Sequence, residues 1–493
     1  MTYIEVMIGV AILVLQVGII LHVVLTKHQE NDQATMWLLM VTLLPVLGVV
    51  IYLLFGVSRL RCIDQSFKEV LEEFRELDET EPAAKQFRQL NEFRPPVEVL
   101  NNRFNRRLNR IFPRRPALDG NEIELLRDGT EAYPRMLEDI SRAKHCIRLE
   151  SFIFLGDRSG RAFLRQLRSK AAEGVDVKIL YDSFGSFKLQ FSHVFHSYMR
   201  KRKPNFSMIA FSPINLFAPW KFQLRNHRKV LIIDGKIVYS GGINISEEND
   251  RRVAQISEKN RIHDLHCRIT GPAVAMYTHS FFLDWAYTLR RRKAKAATVD
   301  HDFPMLKSRG NTVMRVVDSG PGAYYKGSER LFHTAADAAE TSLVILTPYF
   351  VPPSGSYSQA LIMAAARGVD VRLVVPAQGN HRFVDFASRS FYRTLLEGGV
   401  RIFLRRGVFS HIKALLVDNE WGFMGSSNCD SRSFRLNFEL DFCFEGGSFT
   451  ADLVRQVNEE LEDSDELTLE ELDKISFARE FAQNICALFS PIL

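Results

Sequence analysis

The sequence of 493 residues predicts an α/β protein in which two repeated halves follow a pair of N-terminal membrane helices. Three observations predict this class. Two apolar runs open the chain, a strand–helix–strand pattern occurs twice in the remainder, and four polar residues recur at identical spacing in both copies. Because 46% of the residues are hydrophobic, the chain is able to bury several cores, which excludes the low-complexity and disordered classes.

The two apolar runs cover residues 6–25 and 36–55. Each has about the 20 residues that a helix needs to cross a bilayer core, so they predict a transmembrane helical hairpin over residues 1–58. A pair of buried core helices is the alternative. Glu5 stands where a signal peptide has basic residues. Basic residues follow the second run instead, so the positive-inside rule predicts a multi-pass protein whose later residues lie in the cytoplasm.

Residues 59–116 form a predicted basic juxtamembrane linker. Arginines between Arg103 and Arg115 alternate there with apolar residues such as Phe104 and Leu108. This run could lie on anionic membrane lipids, because each basic residue near such a surface contributes about 1 kcal/mol. A solvated linker is the alternative. The net charge of +6, from 64 basic and 58 acidic residues, is too small to predict nucleic-acid binding, and no nucleic-acid partner is expected.

The remaining chain divides into halves at residues 117–300 and 301–493, because one strand–helix–strand pattern occurs in each. The first copy ends its helix with Ala-Ala-Glu-Gly-Val-Asp-Val at residues 171–177, and the second with Ala-Ala-Arg-Gly-Val-Asp-Val at residues 365–371. Apolar strands joined by helices predict mixed, largely parallel sheets flanked by helices. Further helices are expected at the C-terminus.

Each half then carries the same four polar residues, with Lys two, Asp seven and Asn seventeen residues after His. The first set is His227, Lys229, Asp234 and Asn244, and the second is His411, Lys413, Asp418 and Asn428. Since alternate strand residues point to one face, each histidine should share a face with its lysine. Asp234-Gly235 predicts a two-residue hairpin turn that brings Gly242 opposite His227, where a glycine leaves room for a substrate. The aspartates are then turn residues or, alternatively, take part in the chemistry.

Two histidines, two lysines and two asparagines brought together make an anion site. Lysine and asparagine donate to the non-bridging oxygens of a phosphate, where charge builds in the transition state. One neutral imidazole attacks phosphorus, and the other protonates the leaving alcohol. The sequence has no carboxylate cluster that suggests a metal, so neither a metal nor a cofactor is expected.

At these residues the chain resembles the phospholipase D superfamily, whose signature is His-x-Lys-x4-Asp-x6-Gly-(Gly/Ser)-x-Asn, present twice per site. Residues 45–56, residues 425–439 and the C-terminal Leu-Phe-Ser-Pro-Ile-Leu are similar to the bacterial cardiolipin synthases. The resemblance implies two phospholipase D-like repeats related by a pseudo-twofold axis. It also implies a bacterial cell membrane as the location, with the catalytic domain on the cytoplasmic side.

The resemblance further implies a two-step transfer. A histidine attacks the phosphorus of one phosphatidylglycerol and releases glycerol, and the hydroxyl of a second phosphatidylglycerol then attacks the phosphatidyl-histidine to give cardiolipin. His227 is implied as the nucleophile and His411 as the acid/base, with the reverse assignment open. An acidic residue after each motif, Asp264 or Glu439, is implied to orient its histidine, and Ser426 to bind or orient the phosphate group.

Three other functions share parts of this pattern. A membrane-bound phospholipase D uses the same site with water as the second nucleophile. An anchored nuclease would need a basic groove with stacking aromatic residues, and a non-catalytic scaffold would typically have lost a histidine or lysine. Two positions depart from the family pattern, Cys429 in place of Trp and His263 in place of a bulky residue, and both are predicted to alter the fit of the headgroup.

Overall fold

The computed structural model describes residues 3–27, 31–56, 83–192, 195–196, 205–213, 224–253, 256–290, 302–321 and 326–490. The helices are α1 (Tyr3–Lys27), α2 (Asn31–Leu43), α3 (Pro45–Ile51), α4 (Ala83–Gln89), α5 (Val97–Asn101), α6 (Arg103–Ile111), α7 (Asp128–Arg142), α8 (Arg158–Ala172), α9 (Val274–Arg290), α10 (Gly327–Ala338), α11 (Ser356–Ala366), α12 (Arg382–Arg389), α13 (Tyr392–Glu397), α14 (Ser431–Arg435), α15 (Gly447–Glu462), α16 (Leu469–Asp473) and α17 (Phe477–Ala487).

The strands of the first half are β1 (Leu118–Arg127), β2 (Cys146–Ser151), β3 (Asp176–Asp182), β4 (Phe206–Phe211), β5 (Lys229–Ile233), β6 (Ile237–Gly241), β7 (Ile262–His263) and β8 (Leu265–Thr270). Those of the second half are β9 (Thr312–Ser319), β10 (Ser342–Leu346), β11 (Phe350–Val351), β12 (Asp370–Pro376), β13 (Arg401–Arg405), β14 (Phe409–Ser410), β15 (Ala414–Val417), β16 (Trp421–Gly425), β17 (Cys429–Asp430), β18 (Glu439–Glu445) and β19 (Ser464–Leu467).

The N-terminal apolar runs differ from each other in the structure. In the part of the chain that the structure describes, α1 is the one helix long and apolar enough to cross a membrane. The second run is broken at Leu44, whose φ of −123° leaves the helical region, because the ring of the following Pro45 clashes with a helical conformation of the residue before it. The expectation of one continuous second helix is therefore wrong, and a two-span hairpin stays a prediction. The α1–α3 helices pack around Val23, Trp37 and Val41.

One fifteen-stranded sheet runs through both halves in the order β19-β13-β12-β10-β15-β16-β18-β9-β1-β8-β6-β5-β2-β3-β4. The β1 and β9 strands meet at a central antiparallel seam, where Leu118 pairs with Met314 and Asn121 with Thr312. Outward from this seam, β8, β6, β5, β2, β3 and β4 are matched by β18, β16, β15, β10, β12 and β13. The strand order is thus that of two repeats related by a pseudo-twofold axis, as predicted.

The sheet is mixed, as predicted, but parallel pairings are a minority, so the expectation of largely parallel sheets is wrong. Among the described strands, only β2-β3-β4 and β10-β12-β13 run parallel within this sheet. These are the strands joined by longer connections. The strands that carry the motifs are joined by tight turns, as in β5-β6 and β15-β16, and tight turns join antiparallel strands.

The sheet separates one shared core from two outer cores. Alternate strand residues of both halves, such as Val230, Ile232 and Leu416, pack with α9 and α15 in the shared core. The opposite face of the first half packs against α7 and α8, and that of the second half against α10 and α11. Because one core includes residues from both halves, the two repeats are packed together over a wide apolar surface.

The described part of the predicted linker, residues 83–116, is not a linker. Phe104 and Leu108 lie on one face of α6 and are buried in the outer core of the second half, where the Phe104 ring stacks 3.5 Å from Trp421. Arg107 and Arg115 form ion pairs with the second half, the latter at 2.5 Å from Asp318. Residues 57–82 lie outside the described residues, as do residues 291–301, where the two halves are predicted to divide.

Candidate active site

The backbone brings each motif histidine to the opposite half of the molecule. The His227 N–H donates to the carbonyl of Phe438 at 2.9 Å, and the His411 N–H donates to the carbonyl of His263 at 2.7 Å. These carbonyls belong to the residues that immediately precede Glu439 and Asp264. Since β14 runs parallel to β7 beside His411, the histidine segment of one half lies alongside the acidic segment of the other.

The histidine–carboxylate pairs are consequently crossed. Nδ1 of His227 lies 3.0 Å from Glu439 Oε2, and Nδ1 of His411 lies 2.7 Å from Asp264 Oδ2. The expectation that each acidic residue orients the histidine of its own half is therefore wrong. The reason is that the backbone segment beside each histidine comes from the other half, so each carboxylate lies next to the imidazole of the other repeat.

The surroundings of the two imidazoles differ. Nδ1 of His227 also lies 3.0 Å from the carbonyl of Ser426, so within the described part of the chain it faces only acceptors. A neutral His227 therefore carries its proton on Nδ1 and keeps the lone pair of Nε2. Nδ1 of His411 lies between an acceptor, Asp264, and a donor, the Lys413 ammonium at 2.8 Å. His411 thus has a partner for either tautomer.

Both motif lysines are buried next to their histidines. Nζ of Lys229 donates to the His227 carbonyl at 2.5 Å, and Nζ of Lys413 donates to the His411 carbonyl. Burial lowers the pKa of Lys229 to about 7 and that of Lys413 to about 8, although Glu439 and Asp264 oppose the shift. Near neutral pH the buried lysines are therefore only partly charged, and a bound phosphate would stabilise their charged form.

The same environment keeps the histidines neutral. Burial, Lys229 and Lys413 together lower the pKa of His227 well below its usual value. Burial and Lys413 lower the pKa of His411 to about 3, with Asp264 acting in the opposite direction. Because the lysine of each half acts on the histidine of the other half, the two motifs share one electrostatic environment.

The two carboxylates that contact the histidines, Glu439 and Asp264, are stabilised by different neighbours. Glu439 is fully buried and accepts hydrogen bonds from Ser426 Oγ at 2.6 Å, Ser433 Oγ at 2.9 Å and Asn437 Nδ2 at 3.2 Å. Burial raises the pKa of Glu439 in spite of these donors. Burial also disfavours the Asp264 carboxylate, but Lys413 and His411 outweigh it and lower the pKa of Asp264.

The motif asparagines and serine lie within this buried group. Asn244 Oδ1 accepts from the backbone N–H of Ile153 at 3.1 Å. Asn428 Nδ2 donates to Asp430 at 3.1 Å, while its buried Oδ1 has no hydrogen-bond partner among the described residues. The Ser426 hydroxyl is occupied by Glu439, so in this structure it orients the carboxylate.

The motif aspartates lie at the far ends of the motif strands. The Asp234 carboxylate accepts from the backbone N–H groups of Lys144, His145 and Cys146 at 2.8–2.9 Å, and Asp418 does the same for residues 340–342. Seven extended residues separate each aspartate from its histidine, roughly 20 Å along the chain. Of the two alternatives, the structure therefore supports turn residues that fix the start of β2 and β10.

The hairpin register differs by one residue from the prediction. Ile233 pairs with Ile237, so Lys236 joins Asp234 and Gly235 in the turn. A Cβ added at Gly242 would lie 2.2 Å from Asp264 Oδ1. The glycine therefore leaves room for the orienting carboxylate, where the sequence had predicted room for a substrate.

Two buried residues near the site were missed or misread from the sequence. Arg228 lies between His227 and Lys229, so strand alternation points it to the other face, where Nη1 lies 2.7 Å from Asp284 and Nε donates to the Glu439 carbonyl. The His263 ring bonds to Asp128 and Glu460 at 2.7 Å each, so both of its nitrogens are engaged by carboxylates outside the two motifs. The alternation of side chains along a strand could have predicted the orientation of Arg228, whereas nothing in the sequence indicates the partners of His263.

Cys429, the other position that departs from the family pattern, is fully buried in the outer core of the second half. Its backbone N–H donates to Thr347 Oγ1 at 3.1 Å. Its effect on the site is therefore one of packing behind Asn428.

Comparisons with known proteins indicate the family of the chain. A family model described as "Cardiolipin synthase, PLD-like domain" matches residues 136–263 and 333–463, and one described as "Phospholipase_D-nuclease N-terminal" matches residues 14–56. A cardiolipin synthase of Alkalihalophilus pseudofirmus is 32% identical over 97% of this chain and 92% of its own length. One of Listeria welshimeri is 32% identical over 98% of both chains. The chain belongs to the cardiolipin synthase family.

The family assignment makes the chain an enzyme of the phospholipase D-like phosphatidyltransferase type that acts on phospholipids. The apolar α1 helix and the family together indicate membrane association. A solved structure of phosphatidylserine synthase from Haemophilus influenzae superposes with a TM-score of 0.60, covering 80% of this chain and all of that one at 16% identity. At 16% identity, this likeness concerns the fold alone.

Proposed function

We propose that this enzyme transfers a phosphatidyl group from one phosphatidylglycerol to another through a covalent intermediate on His227, releasing glycerol and forming cardiolipin. The observation that supports the proposal most strongly is the pair of crossed histidine–carboxylate contacts, in which both imidazoles are buried, neutral and close to two lysines.

The first step forms one bond and breaks one. Nε2 of His227 attacks phosphorus, the bond from phosphorus to the glycerol oxygen breaks, and that oxygen takes a proton from a His411 imidazolium, which forms when the bound anionic phosphate and Asp264 favour the charged ring. Lys229 and Lys413 stabilise the non-bridging oxygens, and the Glu439 carboxylate stabilises the positive charge on His227. Because Nδ1 of His227 faces only acceptors among the described residues, its Nε2 lone pair is held ready for attack.

The second step reverses these roles. His411 takes the proton from the hydroxyl of a second phosphatidylglycerol, whose oxygen attacks phosphorus as the bond to His227 breaks. The contacts of His411 with both Asp264 and Lys413 suit a residue that gains and loses a proton in each cycle. Asn244 and Asn428 are proposed to help bind the phosphate, and Ser426 to hold Glu439 in place.

We also propose a membrane topology. We place the two halves on the cytoplasmic side of a bacterial membrane, with α1 as one span and α2–α3 as the second. Phosphatidylglycerol is then the anionic partner in the inner leaflet, and glycerol leaves to the aqueous side.

Mass spectrometry of the full chain during turnover tests the chemistry. With acyl-labelled phosphatidylglycerol and an alkaline quench, we expect a phosphatidyl adduct on the peptide that contains His227. His227→Ala and His411→Ala should each lower the rate of transfer by about four orders of magnitude while leaving the protein folded and membrane-bound.

The products decide between transfer and hydrolysis. Labelled cardiolipin as the main product supports the proposal, whereas phosphatidic acid as the main product identifies a membrane-bound phospholipase D. An adduct on His411 would reverse the assignment of the two histidines. Near-normal cardiolipin formation by either alanine variant would refute the two-histidine mechanism.

A further inference from the structure

Exposed phenylalanines follow the equivalent strands β3 and β12 in the two halves. After β3, the turn of 3-10 helix Phe187–Phe191 exposes both of its terminal phenylalanines, and the Phe191 side chain is 70% exposed. After β12, α12 exposes Phe383 near its first turn. Because pseudo-twofold symmetry relates the two strands, the exposed rings occur at matching places in the molecule.

Both segments are connected to the motif histidines through intermediate residues. In the first half, the ring of Phe184 lies 5.0 Å under the guanidinium of Arg225, two residues before His227. In the second half, the Tyr349 ring is 6.5 Å from the His411 ring and 6.3 Å from the ring of His381, the residue that precedes α12. In each half, the exposed phenylalanines therefore follow closely in sequence a ring, Phe184 or His381, whose contact partner lies near a motif histidine.

The C-terminal helix α17 extends the second of these surfaces. Phe477, Phe481 and Ile485 recur every four residues, so they lie on one face of α17, and all three are exposed, Phe477 by 80%. The opposite face, with Gln483 and Cys486, is buried. The α17 helix packs on α12, and the Phe383 ring lies 5.6 Å from that of Phe489 just beyond α17. The apolar face of α17 is thus continuous with Phe383.

Basic residues stand among these rings. Lys188 is exposed within the 3-10 turn, Arg382 precedes Phe383, and Arg479 lies between two phenylalanines of α17. Contiguous apolar surface of this kind is rare on proteins that meet only water. Aromatic rings with lysine and arginine next to them are typical of surfaces that rest on an anionic bilayer interface.

We propose that Phe187, Phe191, Phe383, Phe477 and Phe481, together called the aromatic rim, dock the catalytic halves on the bilayer surface, so that the two histidines face the phospholipid headgroups. The proposal rests on the proposed function for the identity of the substrate. It adds how the site reaches that substrate: the rim inserts among the headgroups, and a lipid passes between the two groups of phenylalanines without leaving the membrane.

A tryptophan reporter tests whether the rim touches lipid. The full-length Phe481→Trp variant is reconstituted in vesicles of phosphatidylcholine and phosphatidylglycerol, with or without brominated acyl chains. We expect the added fluorescence, measured as the difference from the wild type, to be quenched by bromine and protected from acrylamide. Met305→Trp is the matched control, because Met305 is 71% exposed and lies next to Pro304, which adjoins the Gly235 turn at the far end of the motif strands.

Two outcomes of this experiment would overturn the proposal. Quenching of the reporter by acrylamide but not by bromine would show that the rim faces water. Protection from both quenchers would show that protein, such as a second copy of this chain, covers it.

Kinetics supply an independent measurement. Phe477→Ser/Phe481→Ser should lower the rate on long-chain phosphatidylglycerol in vesicles by about tenfold or more, since two rings lose their contact with lipid. The rate on a short-chain phosphatidylglycerol dissolved as monomers should change by less than about twofold, and Met305→Ser should change neither rate.

If the rate falls equally on both substrates, the two rings stabilise the fold and do not dock on lipid. If the rate on vesicles does not fall, the rings have no role in docking. A wild-type enzyme that forms no cardiolipin from either substrate would contradict the proposed function. It would leave the quenching result, and hence the docking surface, unaffected.

Discussion

Lys229 and Lys413 determine the electrostatic character of this site more than any other side chains. Each is buried, each has a pKa near neutrality, and each acts on the histidine of the opposite half. Without a bound anion, two cations in one dry site repel each other. An anionic headgroup relieves this repulsion, so binding of the headgroup and protonation of the lysines are coupled.

This coupling predicts the pH dependence of binding. Lys229 and Lys413 lose their protons as the pH rises through about 7 and about 8, while His227 stays neutral throughout. We therefore expect kcat/KM to fall above about pH 7 and more steeply above about pH 8, by up to about tenfold per pH unit for each lysine that must be charged. Initial rates on phosphatidylglycerol vesicles between pH 6 and 10 measure this, with Lys413→Met expected to show the shallower decline. A profile that stays flat to pH 10 would contradict the coupling.

Much of the site could be predicted from individual residues, and its pairing could not. The repeated spacing selected the histidines and lysines that the structure brings together. It could not show that Glu439 would lie under His227, because that contact depends on which strands of different halves are neighbours. The role of Gly242 was misread for the same reason, since the carboxylate that occupies the space beside it is 22 residues away in sequence.

The α6 helix shows how a short element can be misread from its charge. Its arginines dominate the composition, yet Phe104 and Leu108, four residues apart, form an apolar stripe that docks on the second half. The period was present in the sequence, whereas the Trp421 ring that receives Phe104 was not identifiable from it.

The docking of α6 gives a stability prediction. Phe104→Ala should lower the free energy of unfolding by about 3 kcal/mol, because a buried ring is replaced by a cavity next to Trp421. Thermal unfolding in detergent measures the change. Arg106→Ala on the exposed face of the same helix is the control and should shift stability by less than about 0.5 kcal/mol. Equal shifts for the two variants would mean that α6 is not docked.

The β7 strand carries a second junction between the halves. His263 bonds to Asp128 of the first half and Glu460 of the second, with Arg251 and Arg405 on the outer sides of these carboxylates. Burial opposes the charge on His263, but the two carboxylates outweigh it and raise its pKa to about 9. At neutral pH a protonated imidazole therefore joins the repeats directly behind Asp264.

The stabilisation that protonated His263 gives to the folded chain decreases as the pH rises. The pKa is higher in the folded chain than in the unfolded one, so the stabilisation is complete below about pH 6.5 and is lost as the pH rises through 9, up to about 3 kcal/mol. His263→Phe, which copies Phe438 of the other half, should lose this dependence. Lys229 and Lys413 act in the opposite direction, so the quantity to measure is the difference in thermal stability between wild type and variant from pH 6 to 10. A constant difference would contradict a charged His263.

At the level of the whole molecule, the sequence predicted two repeats and missed how they join. Internal repetition is visible in any single chain, and it was sufficient to predict the pseudo-twofold architecture. The seam between β1 and β9 lies at a point where neither strand carries a motif, and its bulged register follows from tertiary packing rather than from a pattern of residues. The break in the second apolar run was visible at Pro45, but composition outweighed it in the prediction.

The separation of the N-terminal helices from the halves is testable by deletion. The α1–α3 helices have a small core of their own, so removal of residues 1–57 should leave thermal unfolding of the halves within about 4 °C of the full chain. Flotation with vesicles should then show a smaller bound fraction than for the full chain. Failure of the shortened protein to fold would show that the N-terminal segment belongs to the core of the catalytic halves.

The continuous sheet has a consequence for how the enzyme exchanges its substrates. Strand hydrogen bonds and a common apolar core tie the lobes together, so they cannot swing apart like the jaws of a hinged enzyme. If the transfer runs as proposed, the donor, the released alcohol, the acceptor and the product reach and leave the site while the two halves keep a fixed spacing.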